Sequence, residues 1–337
     1  MIDRDKIAGA VYGLALGDAL GRPTEFMSLK EINRAYGAHG HMPLPRPALF
    51  TDDTQMTLAL GRALAAARSD QPREYVRTIT NEFIHWIEHD PPRAPGASCM
   101  TAIRGLRRTR RWHESWTRGT TLSRGCGANM RVVPTALLPD GYSVASLTQL
   151  QAALTHGHPV AIAAAELTAW AIHYAAVGVD VDELPHMLHS RALSQRGVYR
   201  HRWLDGLHRR WPGGDPYRHM VDAWDHMATV TRRVSATLAL RRPPTNVCHV
   251  LGGSWVADEA YATGLYHAVR YVTDPVMAIS AAARTSGDSD SIACIAGAIV
   301  GAHVGQRHAW PEIWTHRIER RGDLETLVDQ LWARWQR

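Results

Sequence analysis

The chain has 337 residues, 45% hydrophobic and 21% charged, with a formal net charge of +6. That balance excludes a disordered chain, and the longest uncharged run, Ser291 to about Gln306, is too short to span a bilayer. Arginine carries almost all the positive charge, Lys6 and Lys30 being the only lysines, which suits phosphate or nucleic-acid partners without requiring them.

In chain order, apolar residues recurring every three or four positions predict a first helix over Ile7–Leu20. It is not a signal peptide, because Asp3 and Asp5 spoil the cationic start and no small-residue cleavage pattern follows. This predicts a cytoplasmic protein. Gly9, Gly13, Gly17 and Gly21 form a ridge along that helix, where another backbone can approach closely. Next comes "FTDDTQMTLAL", in which Asp52 and Asp53 stand between Thr51 and Thr54 against an apolar run. Such residues cap a helix start, and adjacent carboxylates also suit a cation.

The same periodicity predicts helices over Met56–Arg68, Arg73–Glu88, Leu147–Leu154, Val160–Val177 and Val181–Ser190. It continues over His219–Leu240, Asp258–Tyr271, Pro275–Arg284, Ile292–Val304 and Leu324–Trp335. Proline- and glycine-rich breaks fall at Pro43–Ala48, His89–Gly96, Pro212–Gly214 and Arg241–Asn246, none long enough to link independent domains. "VGVDV" at Val177–Val181 is too short for a strand. The expectation is one all-α domain spanning 1–337, and a monomer. Cys99, Cys126, Cys248 and Cys294 form no C-x-x-C pair and read as reduced thiols. The run "RRTRRWH", Arg107–His113, reads as a solvated helix face that could also meet a phosphate-rich target.

A second acidic cluster opens "SGDSDSIACIAGAIVGA". Asp288 and Asp290 alternate, so in an extended loop both point the same way, and Ser291 adds an oxygen. Two such clusters, each at the mouth of an apolar helix, are better explained by a shared pair of hard cations than by two separate caps. A terpene synthase expects aspartate at the fifth position of D-D-x-x-D, where Met56 stands, and three phenylalanines make a poor aromatic pocket. The "HD" at His89–Asp90 has two prolines after it and no fitting histidine set for a metal phosphohydrolase.

These motifs resemble the ADP-ribosylglycohydrolase family in content and order. "GAVYGLALGDALGRPTEF", "TDDTQMTLAL", "RAPGASC", "GCGANMR", "THGHP", "WVADEAYATGL" and "SGDSDSIACIAGAIVGA" all take part. The resemblance implies an all-α orthogonal helical bundle with a binuclear metal site in a central cleft. It implies a hydrolase releasing ADP-ribose from a modified target, most often protein arginine, with serine, nucleic-acid and free O-acyl linkages as alternatives. A non-catalytic ADP-ribose binder is the remaining alternative. Two Mg²⁺ or Mn²⁺ ions would be held by Thr51, Asp52, Asp53, Asp288, Asp290 and Ser291, with serine where the family more often has threonine. Glu25, Asp53 and Asp290 would be catalytic, Glu25 as proton acceptor or as a gate to the metals. Gly96, Gly125, Gly127, Asn129, Met130 and His156 would bind substrate. Cys126 stands where well-studied relatives often carry asparagine. Arg131 reads equally as a core brace, and His158 as a helix cap.

Overall fold

The computed structural model describes residues 2–336, and they form helix after helix. The first five long helices are α1 (Arg4–Gly21), α2 (Leu29–Tyr36), α3 (Asp52–Ala66), α4 (Pro72–His89) and α5 (Ala97–Thr109). Then come α6 (Gly141–Ala153), α7 (Pro159–Ala176), α8 (Leu184–Ser194) and α9 (Pro216–Leu238). The last are α10 (Ala257–Arg270), α11 (Pro275–Ala283), α12 (Ser289–Val304) and α13 (Arg321–Trp335). Among the described residues extended pairing is limited to two isolated bridges, Ala48 with Ile318 and Gly125 with Val256. No described helix is long and apolar enough to cross a membrane.

Prolines that break the apolar pattern turn out to start helices. Pro72, Pro159, Pro216 and Pro275 each occupy a first helical residue, where the missing N–H costs nothing. This moves the expected start at His219 back to Pro216. The expected helix Val181–Ser190 divides into a 3₁₀ turn, Val181–Glu183, and α8. Two helices escaped the periodicity. In α2 only Ile32 is buried, and arginines dilute the buried stripe of α5: Cys99, Ala102, Ile103 and Leu106. The basic run is therefore not one helix face. It spans the end of α5, a left-handed Arg110 (φ 56°) and a new short helix beginning at Trp112.

The centre of the fold is the contact of α1 with α12. Every residue of α1 from Ile7 to Gly21 is buried. A methyl group built on Gly9 would lie 2.0 Å from the Gly301 carbonyl oxygen, and one on Gly13 would lie 2.1 Å from that of Gly297. The same construction brings Gly17 within 2.1 Å of the Ala293 oxygen and Gly21 within 2.4 Å of the Asp290 Cα. As the number rises by four on one helix it falls by three or four on the other, so the two run antiparallel with backbones touching. The glycines cost each helix roughly 1 kcal/mol apiece, offset by dispersion along the contact. The register also places the start of α12 beside the end of α1, a few residues before Glu25.

Candidate metal centre and substrate cleft

Both acidic clusters sit at helix starts. Thr51 is the N-cap of α3, its Oγ1 accepting from the Asp53 amide at 3.4 Å, and Asp52 and Asp53 form the first turn. Asp288 is the N-cap of α12, and Asp290 lies in its first turn with Oδ1 accepting from the Ser291 amide at 3.0 Å. The extended loop expected for Asp288–Asp290 is thus corrected: the backbone is helical from Ser289, with helix-start amides as donors. Cap and cation site are not alternatives, because the positive end of a helix also steadies clustered carboxylates.

The two starts converge. Ser291 Oγ donates to Asp53 Oδ2 at 3.0 Å across the interface of α3 and α12. Glu25, Asp288 and Asp290 each offer an oxygen within 4.8 Å of the others. With Asp52 and Asp53 they make five carboxylates, each 3–8% exposed. Burial, followed by the Asp290 charge, raises Asp52, Asp53 and Asp288 well above the usual carboxylate range and pushes Glu25 up to about 9. Among the described residues none of the five pairs with lysine, arginine or histidine. Uncompensated buried charges cost several kcal/mol per ion, so this all-oxygen donor set fits hard divalent cations.

Asp18 is a further buried carboxylate that the sequence reading did not place in the site. It is fully buried; its Oδ1 accepts from the Thr51 amide at 2.8 Å, and its Oδ2 accepts from the Thr54 amide at 3.0 Å and the Thr54 hydroxyl at 2.5 Å. Burial and the Asp290 charge push it up to about 7. Asp18 therefore holds the start of α3 in place from α1. The signal was present in the sequence: a lone acid in the middle of an apolar glycine ridge is almost never buried without a task.

The glycine turn lies against this cluster. Cys126–Ala128 form a 3₁₀ turn, and the Cys126 amide donates to the Trp255 carbonyl at 3.3 Å. Methyl groups on Gly125 and Gly127 would meet the His156 ring at 3.2 Å and 2.9 Å, so the turn rests directly on that imidazole. His156 is 2% exposed, with Nδ1 2.8 Å from Thr155 Oγ1, and burial followed by the Arg131 charge lowers it to about 3. Asn129 is fully buried, its Nδ2 donating to Thr168 Oγ1 and the Ala257 carbonyl. The buried Met130 accepts at its carbonyl from Cys294 Sγ at 3.3 Å, tying the turn to α12. Gly96 is the N-cap of α5, with open space where a Cβ would stand, and the same helix start meets the turn through Cys99, whose Sγ would lie 2.9 Å from a methyl on Gly127.

Three neighbours complete the cleft. Cys126 Sγ donates to Asp288 Oδ2 at 2.9 Å, and burial, then Asp288, raise the thiol well above its usual value. Arg131 is a core brace, fully buried and donating to Gln151 and Thr155 while facing the Phe83 ring. His158 caps α7, its Nδ1 accepting from the Val160 amide at 3.1 Å. At the rim Phe26 and Trp255 are 77% and 47% exposed and stack at 5.7 Å, one adjoining Glu25 and the other the glycine turn.

A family model described as ADP-ribosylglycohydrolase matches residues 1–337. The chain is 37% identical over 183 residues to the ADP-ribosyl-[dinitrogen reductase] glycohydrolase of Rhodospirillum rubrum, covering 50% of this chain and 58% of that one. It is 27% identical to ADP-ribosylhydrolase ARH3 of Homo sapiens, over 97% of this chain and 92% of that one. It is 28% identical to the ADP-ribosylarginine hydrolase Tri1 of Pseudomonas putida, over 53% and 49%. A solved structure titled "ADP-ribosylglycohydrolase-related protein complex" superposes with a TM-score of 0.70, covering 98% of both chains at 22% identity, which shows a shared fold.

Proposed function

The chain belongs to the ADP-ribosylglycohydrolase family, and from that premise we propose that it removes ADP-ribose from arginine side chains of modified proteins. The observation that carries the reading is the convergence of Glu25, Asp52, Asp53, Asp288 and Asp290 on one cleft, none of them ion-paired with a cationic side chain among the described residues. Thr51, Asp52, Asp53, Asp288, Asp290 and Ser291 would hold two divalent ions, Mg²⁺ or Mn²⁺. When bound, such ions polarise ribose hydroxyls and offset charge at the anomeric carbon.

The chain's own residues do the rest. The Gly125–Gly127 turn, supported by His156, offers the Gly127 N–H to the diphosphate, the Gly125 and Cys126 amides being taken by Ser123 Oγ and the Trp255 carbonyl. Glu25, the most exposed of the five carboxylates, would take a proton from the attacking water once bound cations offset the neighbouring Asp290 and Asp52 charges that, with burial, hold it protonated. The water oxygen bonds to the anomeric carbon as the glycosidic C–N bond breaks, and the proton taken by Glu25 passes to the departing guanidine nitrogen. One observation favours guanidine over a serine oxygen. The stacked Phe26 and Trp255 rings stand exposed above an acidic cleft, an arrangement that suits a planar cation on both counts.

The test is turnover of ADP-ribosyl-arginine beside serine-linked and nucleic-acid-linked substrates. We expect arginine-linked turnover with Mg²⁺ or Mn²⁺, abolished by EDTA and by Asp290→Ala. Cleavage of another linkage alone would overturn the arginine assignment. A melting temperature raised by ADP-ribose without cleavage of any linkage would make the protein a binder.

A further inference from the structure

One loop joins the two halves of the cleft. It runs from Gly252 to Val256, directly before α10, and two of its carbonyls accept from opposite partners. The Gly253 carbonyl accepts from the Asp288 amide at 2.9 Å, and the Trp255 carbonyl accepts from the Cys126 amide at 3.3 Å. Gly287 lies so close that a methyl group on it would run into the Gly253 carbonyl oxygen. The acidic start of α12 and the glycine turn are therefore held two residues apart on one stretch of backbone. The same stretch carries the Trp255 ring at the rim.

This backbone is bent into a shape that its neighbours impose. Gly252 has φ 104° and Ser254 has φ 69°. A residue with a side chain keeps such a left-handed conformation only where its surroundings hold it. Ser254 is fully buried, and two residues of α10 do the holding. Its Oγ lies 2.6 Å from Thr263 Oγ1, and its amide donates to Glu259 Oε2 at 3.1 Å. The Glu259 carboxyl group fills the space where a side chain on Gly252 would stand.

An acid in the first turn of a helix suits the positive end of the dipole wherever its oxygens point. Glu259 is more specific than that. Its carboxylate turns back onto the loop, and it has no ion-pair partner among the described residues.

We propose that Glu259 is a positioning residue for the reaction. By holding the Ser254 amide it fixes the Gly252–Val256 loop, and the loop backbone then sets Asp288 and the Cys126 turn relative to each other. Glu259 acts through that backbone, not by contact with cation or substrate. The inference rests on the metal site and substrate turn of the proposed function and adds what keeps them in register.

The test is calorimetric titration of the full chain with two probes, Mn²⁺ alone and then ADP-ribose at saturating Mn²⁺. Glu259→Ala should weaken Mn²⁺ binding about tenfold or more, the usual cost of losing support behind a metal ligand. Because the loop has two ends, ADP-ribose binding should also weaken, by about threefold or more, the scale of one hydrogen bond. Glu259→Gln keeps an acceptor oxygen and should bind both probes within about threefold of wild type. Glu259→Asp keeps the charge but falls one methylene short of the Ser254 amide, so it should weaken as alanine does. If Glu259→Ala fails to fold, the contrast between glutamine and aspartate carries the test. The proposal is overturned if the variants bind both probes like wild type, or if only Mn²⁺ binding falls. It is also overturned if aspartate matches wild type while glutamine falls, which would make Glu259 a source of charge and not of geometry. A wild-type chain that binds no Mn²⁺ removes the proposed metal site and this inference together. Mn²⁺ binding that is equal in wild type and all variants removes Glu259 alone.

Discussion

Ser291 Oγ donates to Asp53 Oδ2 at 3.0 Å, joining the first turns of α3 and α12 across 238 positions of chain. The bond fixes the orientation of one carboxylate from the opposite side of the cleft. Ser291→Ala should weaken Mn²⁺ binding by about ten- to a hundredfold, the usual cost of losing a partner that orients a ligand. Ser291→Thr should bind as wild type does. Calorimetric titration of Mn²⁺ into each variant checks this, and equal affinity for the alanine variant would remove Ser291 from the site.

The aromatic rim makes a kinetic prediction. Trp255→Ala should raise KM for ADP-ribosyl-arginine by about tenfold, consistent with a cation–π contact of 0.5–2 kcal/mol, while kcat changes little. Initial rates over a substrate series separate the two constants. An equal loss on a serine-linked substrate would show that the ring serves ADP-ribose rather than the guanidine.

The glycine ridge predicts a stability change with a built-in control. Gly13→Ala puts a methyl group 2.1 Å from the Gly297 carbonyl oxygen, where backbone cannot yield cheaply. The loss should be roughly 1–3 kcal/mol or more, seen as a lower urea midpoint. Gly322→Ala, on α13 with nothing within 4 Å, should be neutral or slightly stabilising. A Gly13→Ala protein as stable as wild type would contradict the close contact of α1 with α12.

The buried imidazoles should make an acid-sensitive contribution to stability, opposed over the same range by the carboxylates that burial raises, which gain stability as pH falls. Burial lowers His267 to about 3, and burial with the Arg131 charge lowers His156 to about 3. Because the folded values lie below the unfolded one, the unfolded chain takes up protons first as pH falls below about 6.5. Stability present at pH 7 is therefore lost progressively from there toward pH 3. At pH 5 each histidine should cost about 2 kcal/mol. Urea unfolding at pH 7.5 and 5 measures this as a difference: His267→Phe should lose about 2 kcal/mol less than wild type, or gain that much more, on going to pH 5. A change equal to that of wild type would dismiss His267 as a contributor.

The sequence by itself determined the helical class, most helix positions and the two acidic stretches. These are local properties: apolar periodicity, glycine spacing and adjacent carboxylates are visible within a few residues of one another. It did not reveal α2 or most of α5, where few buried positions leave little periodicity to read. It also misjudged the backbone at Asp288 and Asp290, because alternation in sequence says nothing about whether amides nearby will wind it into a helix. Tertiary structure alone decided that Asp18 braces Thr51 and Thr54, that Cys126 reaches Asp288, and that Asp53 meets Ser291. Each is a contact between segments distant in the chain, brought together when the glycine faces of α1 and α12 close to backbone distance. That closure is a packing outcome of the whole core, which no short window of residues contains.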